Sequence, residues 1–270
     1  MAIQPRLEPP PTVPPERGHA DVASAVNRQG SGGPGETGGR EFFVSWGYNG
    51  DRYAKSDLHI SQPPLGNDFT LAGVQARDSK AWTDLFSHGL TVPQYNLRIG
   101  FFFNDRWGLE LAHDHIKWIV REGQQVRLTG TLGGEPVDTL VTLTPDVLRY
   151  QLNNGANPLF INLIRRVRLR GEPGRTGAVS FLAKAGGGFA NPHTENAVFD
   201  QPNDKGFQFV QGWNVDAVAA VRIHLFNPLY FEVEEKLIYA RYFGVNVDRG
   251  TARHSVKASE FTFSFGLAFR

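Results

Sequence analysis

The segment Glu260–Arg270 reads Glu-Phe-Thr-Phe-Ser-Phe-Gly-Leu-Ala-Phe-Arg, and large apolar residues alternate with small or polar ones along it. Strict alternation marks a strand with two unlike faces. One face carries Phe261, Phe263, Phe265, Leu267 and Phe269; the other carries Glu260, Thr262, Ser264, Gly266 and Ala268. A ribbon this rich in aromatics at the end of a chain suggests the closing strand of a barrel set in lipid, with the phenylalanine face turned to the acyl chains.

The same period of two runs back through the chain from Glu41. It predicts eight long strands near 41–54, 93–104, 106–120, 159–170, 178–190, 212–227, 229–242 and 257–270. Their connections alternate in length. Asn104-Asp105-Arg106, Gly171 to Gly177 and Asn227-Pro228-Leu229 are short, whereas 55–92, 121–158, 191–211 and 243–256 are long. Short turns at one end and long loops at the other are the pattern of a membrane barrel. With eight strands, both chain ends fall on the short-turn side, which would be periplasmic. The expected fold is therefore all-β: an eight-stranded antiparallel up-and-down transmembrane β-barrel over 41–270. The leader, 1–40, holds seven of the 17 Pro and seven of the 30 Gly and is expected to be disordered. It reads as a tether, with a polyproline docking site as the functional alternative.

The sequence gives two faces per strand but does not say which is inside. In 93–104 one face is Tyr95, Leu97, Ile99, Phe101 and Phe103, and the other is Asn96, Arg98, Gly100 and Phe102. Size decides for the membrane orientation, because eight strands enclose an interior only wide enough for side chains. A soluble lipocalin-like carrier, with the apolar face inward around a ligand, is the inverse reading. In the membrane orientation the lumen collects Arg98, Glu110, Asp114, Arg166, Arg168, Lys184, Asp216, Arg222, Glu232, Glu234, Lys236 and Glu260. Buried charges must be paired, so these residues are expected to form a mixed-sign network that plugs the lumen; a narrow ion path lined by them is the alternative. Trp107, Trp213, Tyr230, Tyr239 and Tyr242 lie near strand ends and are expected to form the aromatic girdle.

Three features strain this scheme. Arg165 and Arg166 are adjacent, so one must face lipid unless a bulge intervenes. Mid-membrane, an Arg costs about 2–4 kcal/mol, so Arg165 must sit near the edge. Glu235 falls in the apolar set of its strand. Finally, the start Met1-Ala2-Ile3-Gln4-Pro5-Arg6 leads into no apolar stretch, so no signal peptide is visible. The expectation is a mature form with an added Met or a misplaced start; otherwise the membrane reading falls. In the first long connection, 56–60 and 68–74 also alternate and are expected as strand extensions or a hairpin above the membrane.

Composition excludes several function classes. The charge is balanced, 28 Lys+Arg against 27 Asp+Glu, which gives no case for nucleic acid as a partner. There is no Cys, hence no disulfide, thiolate metal site or Cys nucleophile. No apolar run is long enough for a membrane helix, and a mean hydropathy of −0.32 suits a barrel, whose strands alternate.

Strand number, loop asymmetry and the Phe-rich closing strand make 41–270 resemble the small eight-stranded outer-membrane barrels, the OmpA-transmembrane-domain and OmpW type. Phe269 is followed by Arg270, a departure from the terminal aromatic usual in such barrels. Gly47-Tyr48-Asn49, Tyr53 to Asp57, Val92 to Asn96, Phe102 to Gly108 and Asp114 to Trp118 are similar to a set of Gram-negative outer-membrane barrels that implies a location and carries over no activity. The resemblance implies the bacterial outer membrane and outer-membrane lipid as surroundings. It also implies a structural or binding scaffold whose protein partners meet the long loops or the Pro-rich N-terminus.

An outer-membrane lipid A-modifying enzyme, of deacylase or acyltransferase type, uses the same scaffold. It would need a nucleophile or base at the rim, and His115 with Ser56 or Ser87 are the candidates, with no spacing to support a pairing. Alternation places His113, His115 and Lys117 on one face and Asp114 on the other, so Asp114 cannot orient His115 as a triad acid does. Metal held by His113 and His115 is the lesser reading beside interfacial side chains; no metal and no cofactor are expected. Gly186-Gly187-Gly188 lacks the Lys-Ser/Thr of a phosphate loop and reads as close packing within a strand. Asn153-Asn154-Gly155 and Asn203-Asp204-Lys205-Gly206 read as loop turns.

Overall fold

The computed structural model describes residues 39–79, 94–152 and 154–270. The expected disorder of 1–40 and the proline tract fall, but for residues 39 and 40, outside these residues, as do Ser87 and Asn153. The strands in chain order begin with β1 (Glu41–Tyr53), β2 (Ser56–Gln62), β3 (Asn67–Val74), β4 (Ala76–Arg77), β5 (Tyr95–Phe102) and β6 (Trp107–Asp114). They continue with β7 (Trp118–Val120), β8 (Gln125–Leu132), β9 (Glu135–Thr142), β10 (Leu148–Leu152), β11 (Pro158–Arg170) and β12 (Val179–Ala190). The last five are β13 (His193–Val198), β14 (Gln201–Phe207), β15 (Gly212–Phe226), β16 (Leu229–Val247) and β17 (Gly250–Phe269). No helix among the described residues is long and apolar enough to cross a membrane.

Eight of these strands close a ring in the order β1-β5-β6-β11-β12-β15-β16-β17, and β17 pairs back onto β1. All neighbours are antiparallel, with Tyr48 opposite both Phe263 and Tyr95. Following paired residues around the ring from Tyr53 through Ala258, Ile238, Asp216, Gly186, Asn162, Glu110 and Gly100 ends at Phe43, ten positions short of the start. With a rise of about 3.3 Å per residue and strands about 4.8 Å apart, that stagger tilts the strands by about 40° and sets a backbone radius of about 8 Å. Closure leaves no strand edge in the ring, so each backbone group can be paired without water.

The eight expected strands correspond to these eight, except that the one expected over 106–120 leaves the ring at Asp114, and Trp118–Val120 pair instead with β10 and β4 in a second sheet. The tight turn between β5 and β6 is fixed by Asn104, whose Oδ1 accepts the backbone N–H of Arg106 and of Trp107, both at 2.9 Å. This turn, the β11–β12 turn and the β15–β16 turn lie at the end where β1 begins and β17 finishes.

Exposure follows the alternation. Phe42, Trp46, Ile99, Phe101, Leu109, Leu111, Ile161, Leu163, Val215, Phe261, Phe265, Leu267 and Phe269 are exposed on the outer wall. Phe263, the remaining member of the closing ribbon, is half-buried. The inner wall holds polar and charged residues at near-zero exposure. The fold is thus turned inside out relative to a water-soluble barrel, and the carrier reading falls on this distribution.

The described parts of the long connections are built largely of strands. The upper part of β17 pairs with β2, Ala252 opposite Ile60, and β3, β8 and β9 extend the sheet outward. The expected hairpin of 56–60 and 68–74 is β2 and β3. A second sheet runs β14-β13-β10-β7-β4. One apolar cluster draws on both sheets: Leu58, Ile60, Phe69, Leu71 and Leu128 from the first, and Trp118, Leu148, Tyr150, Leu152 and Val198 from the second. Val245, Val247, Ala252 and Val256 join it from the barrel strands that rise into this head. Asn203 to Gly206 lie in β14 and not in a turn; the reversal before them is made at Phe199 and Asp200, both at positive φ.

Two members of the expected girdle are inside. Tyr230 is fully buried in a lower cluster with Phe43, Phe102, Ile164 and Leu182. Tyr242 is fully buried in the head, where its hydroxyl donates to the carbonyl of Ala156 at 2.8 Å. Each sits at an even position of β16, the inward parity, so proximity to a strand end was the wrong guide. Trp107 and Trp213 do face outward, and Trp46 joins them.

Candidate functional site: the ionic lumen

Inward parity delivers the charged side chains to one column. At its foot Glu41 takes both guanidinium nitrogens of Arg166, at 2.5 and 3.2 Å, and also binds Arg270 at 2.9 Å. Arg166 lies 3.4 Å over the ring of Phe102, and Arg222 lies 4.3 Å over Phe43 and 4.0 Å over Tyr230. Such cation–π contacts strengthen when water is excluded. Arg222 then binds Glu232 at 2.5 Å.

The middle of the column is centred on Lys184. Its Nζ donates to Glu110 and Glu232, each at 2.8 Å, and to Glu234. Glu110, Glu232 and Glu234 form the one group of three ligand-type side chains found close enough for a metal among the described residues, and Lys184 occupies the place of a cation between them. Arg98 links Glu234 at 3.0 Å to Asp114 at 2.6 Å, and Lys236 binds Asp114 at 2.5 Å with Asp216 at 3.5 Å. At the top Asn49 donates to Glu260 at 3.2 Å. Above Glu260 the column meets the apolar head cluster, since Phe160, Ile238 and Ala258 belong to both walls.

Eleven of the twelve expected lumen residues are buried here: Arg98, Glu110, Asp114, Arg166, Lys184, Asp216, Arg222, Glu232, Glu234, Lys236 and Glu260. Arg168 is not among them. It has the inward parity, but β11 has passed the end of the barrel by that point, and its side chain is exposed and paired with Glu172. Sequence reasoning missed Glu41, Asn49, Asp51 and Asn162, which share the inward parity of their strands. Glu41 was legible: it stands two residues before Phe43 in the alternation.

The outer-wall exceptions have local solutions. Arg165 places its guanidinium 4.8 Å over Trp107, at the short-turn rim. Glu235 accepts from the Ser259 hydroxyl at 2.5 Å. The glycine run is packing, not a phosphate loop: a Cβ on Gly186 would lie 2.0 Å from the Ile161 carbonyl oxygen, and one on Gly188 would lie 2.1 Å from that of Leu159.

His113, Asp114 and His115 do not converge. Asp114 faces the lumen, His113 is half-buried on the outer parity, and His115 lies past the end of β6. His115 stacks on Tyr95 with centroids 5.1 Å apart, and its Nδ1 pairs with Asn157 Oδ1 at 2.9 Å. Burial lowers its pKa to about 4, so it is neutral near pH 7. Ser56 is the buried first residue of β2.

No protein-family description matches the sequence, and no curated protein matches it. Among solved structures, the chain is similar to OprG, an outer membrane protein from Pseudomonas aeruginosa, at 11% identity and TM-score 0.36, covering 87% of this chain and 98% of that one. Neisserial surface protein A matches at 8% identity and TM-score 0.35, covering 86% and 99%. Ail, the attachment invasion locus protein of Yersinia pestis, solved with the heparin analogue sucrose octasulfate, matches at 11% identity and TM-score 0.33, covering 85% and 99%. These are small outer-membrane β-barrels, and at such scores the likeness carries no argument about activity. The closed ring, apolar outer wall and charged interior of this chain are themselves those of an outer-membrane β-barrel.

Proposed function

We propose that this protein is a non-conducting scaffold of the bacterial outer membrane: a barrel whose lumen is plugged by its own ion pairs and which carries a folded β head on the long-connection side. The observation that supports the plug most is the unbroken column of contacts from Glu41 through Arg222, Glu232, Lys184, Glu234, Arg98 and Asp114 to Lys236. Every one of these side chains is almost wholly removed from solvent. A conducting pore needs mobile water beside its charged groups, whereas here each charged side chain of the column lies in at least one ion pair with another. Both ends of the column are closed as well, by Phe43, Phe102 and Tyr230 below and by the head cluster above.

The head is where a scaffold meets partners. Function concentrates on elements held out by a rigid support, and the β8–β9 hairpin is exposed over most of its length, with Leu140 at 69%. Planar-bilayer recording of the refolded chain tests the plug: no unitary conductance is expected in molar salt. Regular, reproducible steps from wild-type protein would refute it.

A further inference from the structure

The lumen cations Arg98, Arg166, Lys184, Arg222 and Lys236 are all paired. Arg52, Arg241 and Lys257 are among the outer cations that make no salt bridge among the described residues, and they are set apart from the others by their placement. These three lie on the outer wall of adjacent strands, at the end away from the short turns. Arg52 is opposite Ser259 on β17, Lys257 is two residues along from Ser259 and opposite Tyr239, and Arg241 is opposite Ser255. Diagonal neighbours across a sheet are about 7–8 Å apart, so Arg52, Lys257 and Arg241 form a continuous line across β1, β17 and β16.

The line is prepared for a ligand. Arg241 donates to Ser255 Oγ at 3.1 Å, and the same hydroxyl lies 3.3 Å from the Tyr239 hydroxyl, so the guanidinium is tethered without being neutralised. Below the line the wall is dented. One depression is walled by Arg52, Lys257, Ser259 and Leu237 and by no carboxylate, so it is the one that suits a phosphate; an adjoining one is walled by Gly50, Arg52, Phe261 and three acids, Asp51, Asp78 and Glu235, and suits hydroxyl or amide donors. Each therefore joins a cation to an exposed apolar side chain, Leu237 at 62% and Phe261 at 47%. The Glu235–Ser259 pair supplies an acceptor and a hydroxyl between them.

From this arrangement we propose that the outer wall at Arg52, Lys257 and Arg241 is a binding site for a phosphorylated glycolipid of the surrounding leaflet. The cations take its phosphates, Glu235 and Ser259 take sugar hydroxyl or amide groups, and the acyl chains run down over Leu237 and Phe261. This rests on the membrane-barrel reading. A simple phospholipid offers one phosphate and no sugar, and so uses only part of the line.

The test is native mass spectrometry of the full chain in non-ionic detergent, titrated with bis-phosphorylated lipid A, the same glycolipid without phosphates, and phosphatidylglycerol. Retention of bis-phosphorylated lipid A at least tenfold above the other two is expected. Arg52→Gln with Lys257→Gln, and separately Arg241→Gln, should each lower it at least tenfold, while Arg106→Gln at the opposite rim should leave it unchanged. Heat-modifiable migration on gels shows that each variant is folded. Equal retention of the three lipids, or variants that bind like wild type, would overturn the site while leaving the barrel standing; failure of the wild type to insert into vesicles would instead overturn the barrel.

Discussion

Replacing Lys184 by Met tests the ionic column at its centre. Lys184 is fully buried and is the shared partner of Glu110, Glu232 and Glu234, whose ligand atoms lie within 4.8 Å of one another. Met preserves most of the side-chain volume, so the loss is electrostatic rather than a cavity. Removing one member of a buried ion pair costs about 3–5 kcal/mol, because the remaining charge is left uncompensated. Two contacts soften the loss, since Arg222 still holds Glu232 at 2.5 Å and Arg98 still holds Glu234 at 3.0 Å. Glu110 keeps only Arg98 at 3.9 Å and is the group most exposed to the change. We therefore expect about 4 kcal/mol of destabilisation. With a urea slope of about 3 kcal/mol/M, the unfolding midpoint in lipid or detergent should fall by about 1.3 M. Adding Glu110→Gln to Lys184→Met should restore part of the loss, a coupling that a double-mutant cycle reads directly. A midpoint within about 0.2 M of wild type, under 1 kcal/mol at that slope, would refute the claim that these carboxylates depend on Lys184.

Two further outcomes follow from the same structure. Gly266→Val should abolish folding or require large repacking, since a Cβ at that position lies 2.3 Å from the Tyr230 ring; a normal gel shift and melting curve would contradict the packing. His115 should titrate near pH 4 by NMR, because burial favours its neutral form. The unfolded chain binds that proton nearer pH 6.5, so this histidine's contribution to stability is present above pH 6.5 and is lost as pH falls toward 4. Replacement by Gln should flatten the fall over this window, and an ordinary midpoint near 6.5 would remove the effect.

Much of the barrel was legible because alternation is a strong signal when both faces are extreme. The eight strands, the hairpin of β2 and β3 and the inward set from Arg98 to Glu260 all come from parity alone. The errors arise where parity was overruled or where a strand leaves the barrel. Tyr230 and Tyr242 were assigned to a girdle by their nearness to strand ends, although their even positions point them inward with Glu232 and Glu234. Arg168 keeps the parity of Arg166 but stands past the rim, and a sequence does not mark where the wall ends. The head was hidden for a different reason. Its strands are short, and Trp118, Leu148 and Tyr150 become a core only when β17 carries β2 and its neighbours over the barrel, a long-range pairing that no local pattern records.

The central claim is that the aromatic face of each strand meets lipid and the charged face fills the lumen. The chain has no Cys, so single cysteines can be introduced and spin-labelled one at a time in vesicles. Labels at Leu163, Phe265 and Leu111 should show high collision with oxygen and little with a water-soluble nickel chelate, while labels at Asn162, Ser264 and Glu110 should be shielded from both. Oxygen-rich signals from the second group, with the first group in contact with the aqueous reagent, would contradict the orientation and everything built on it.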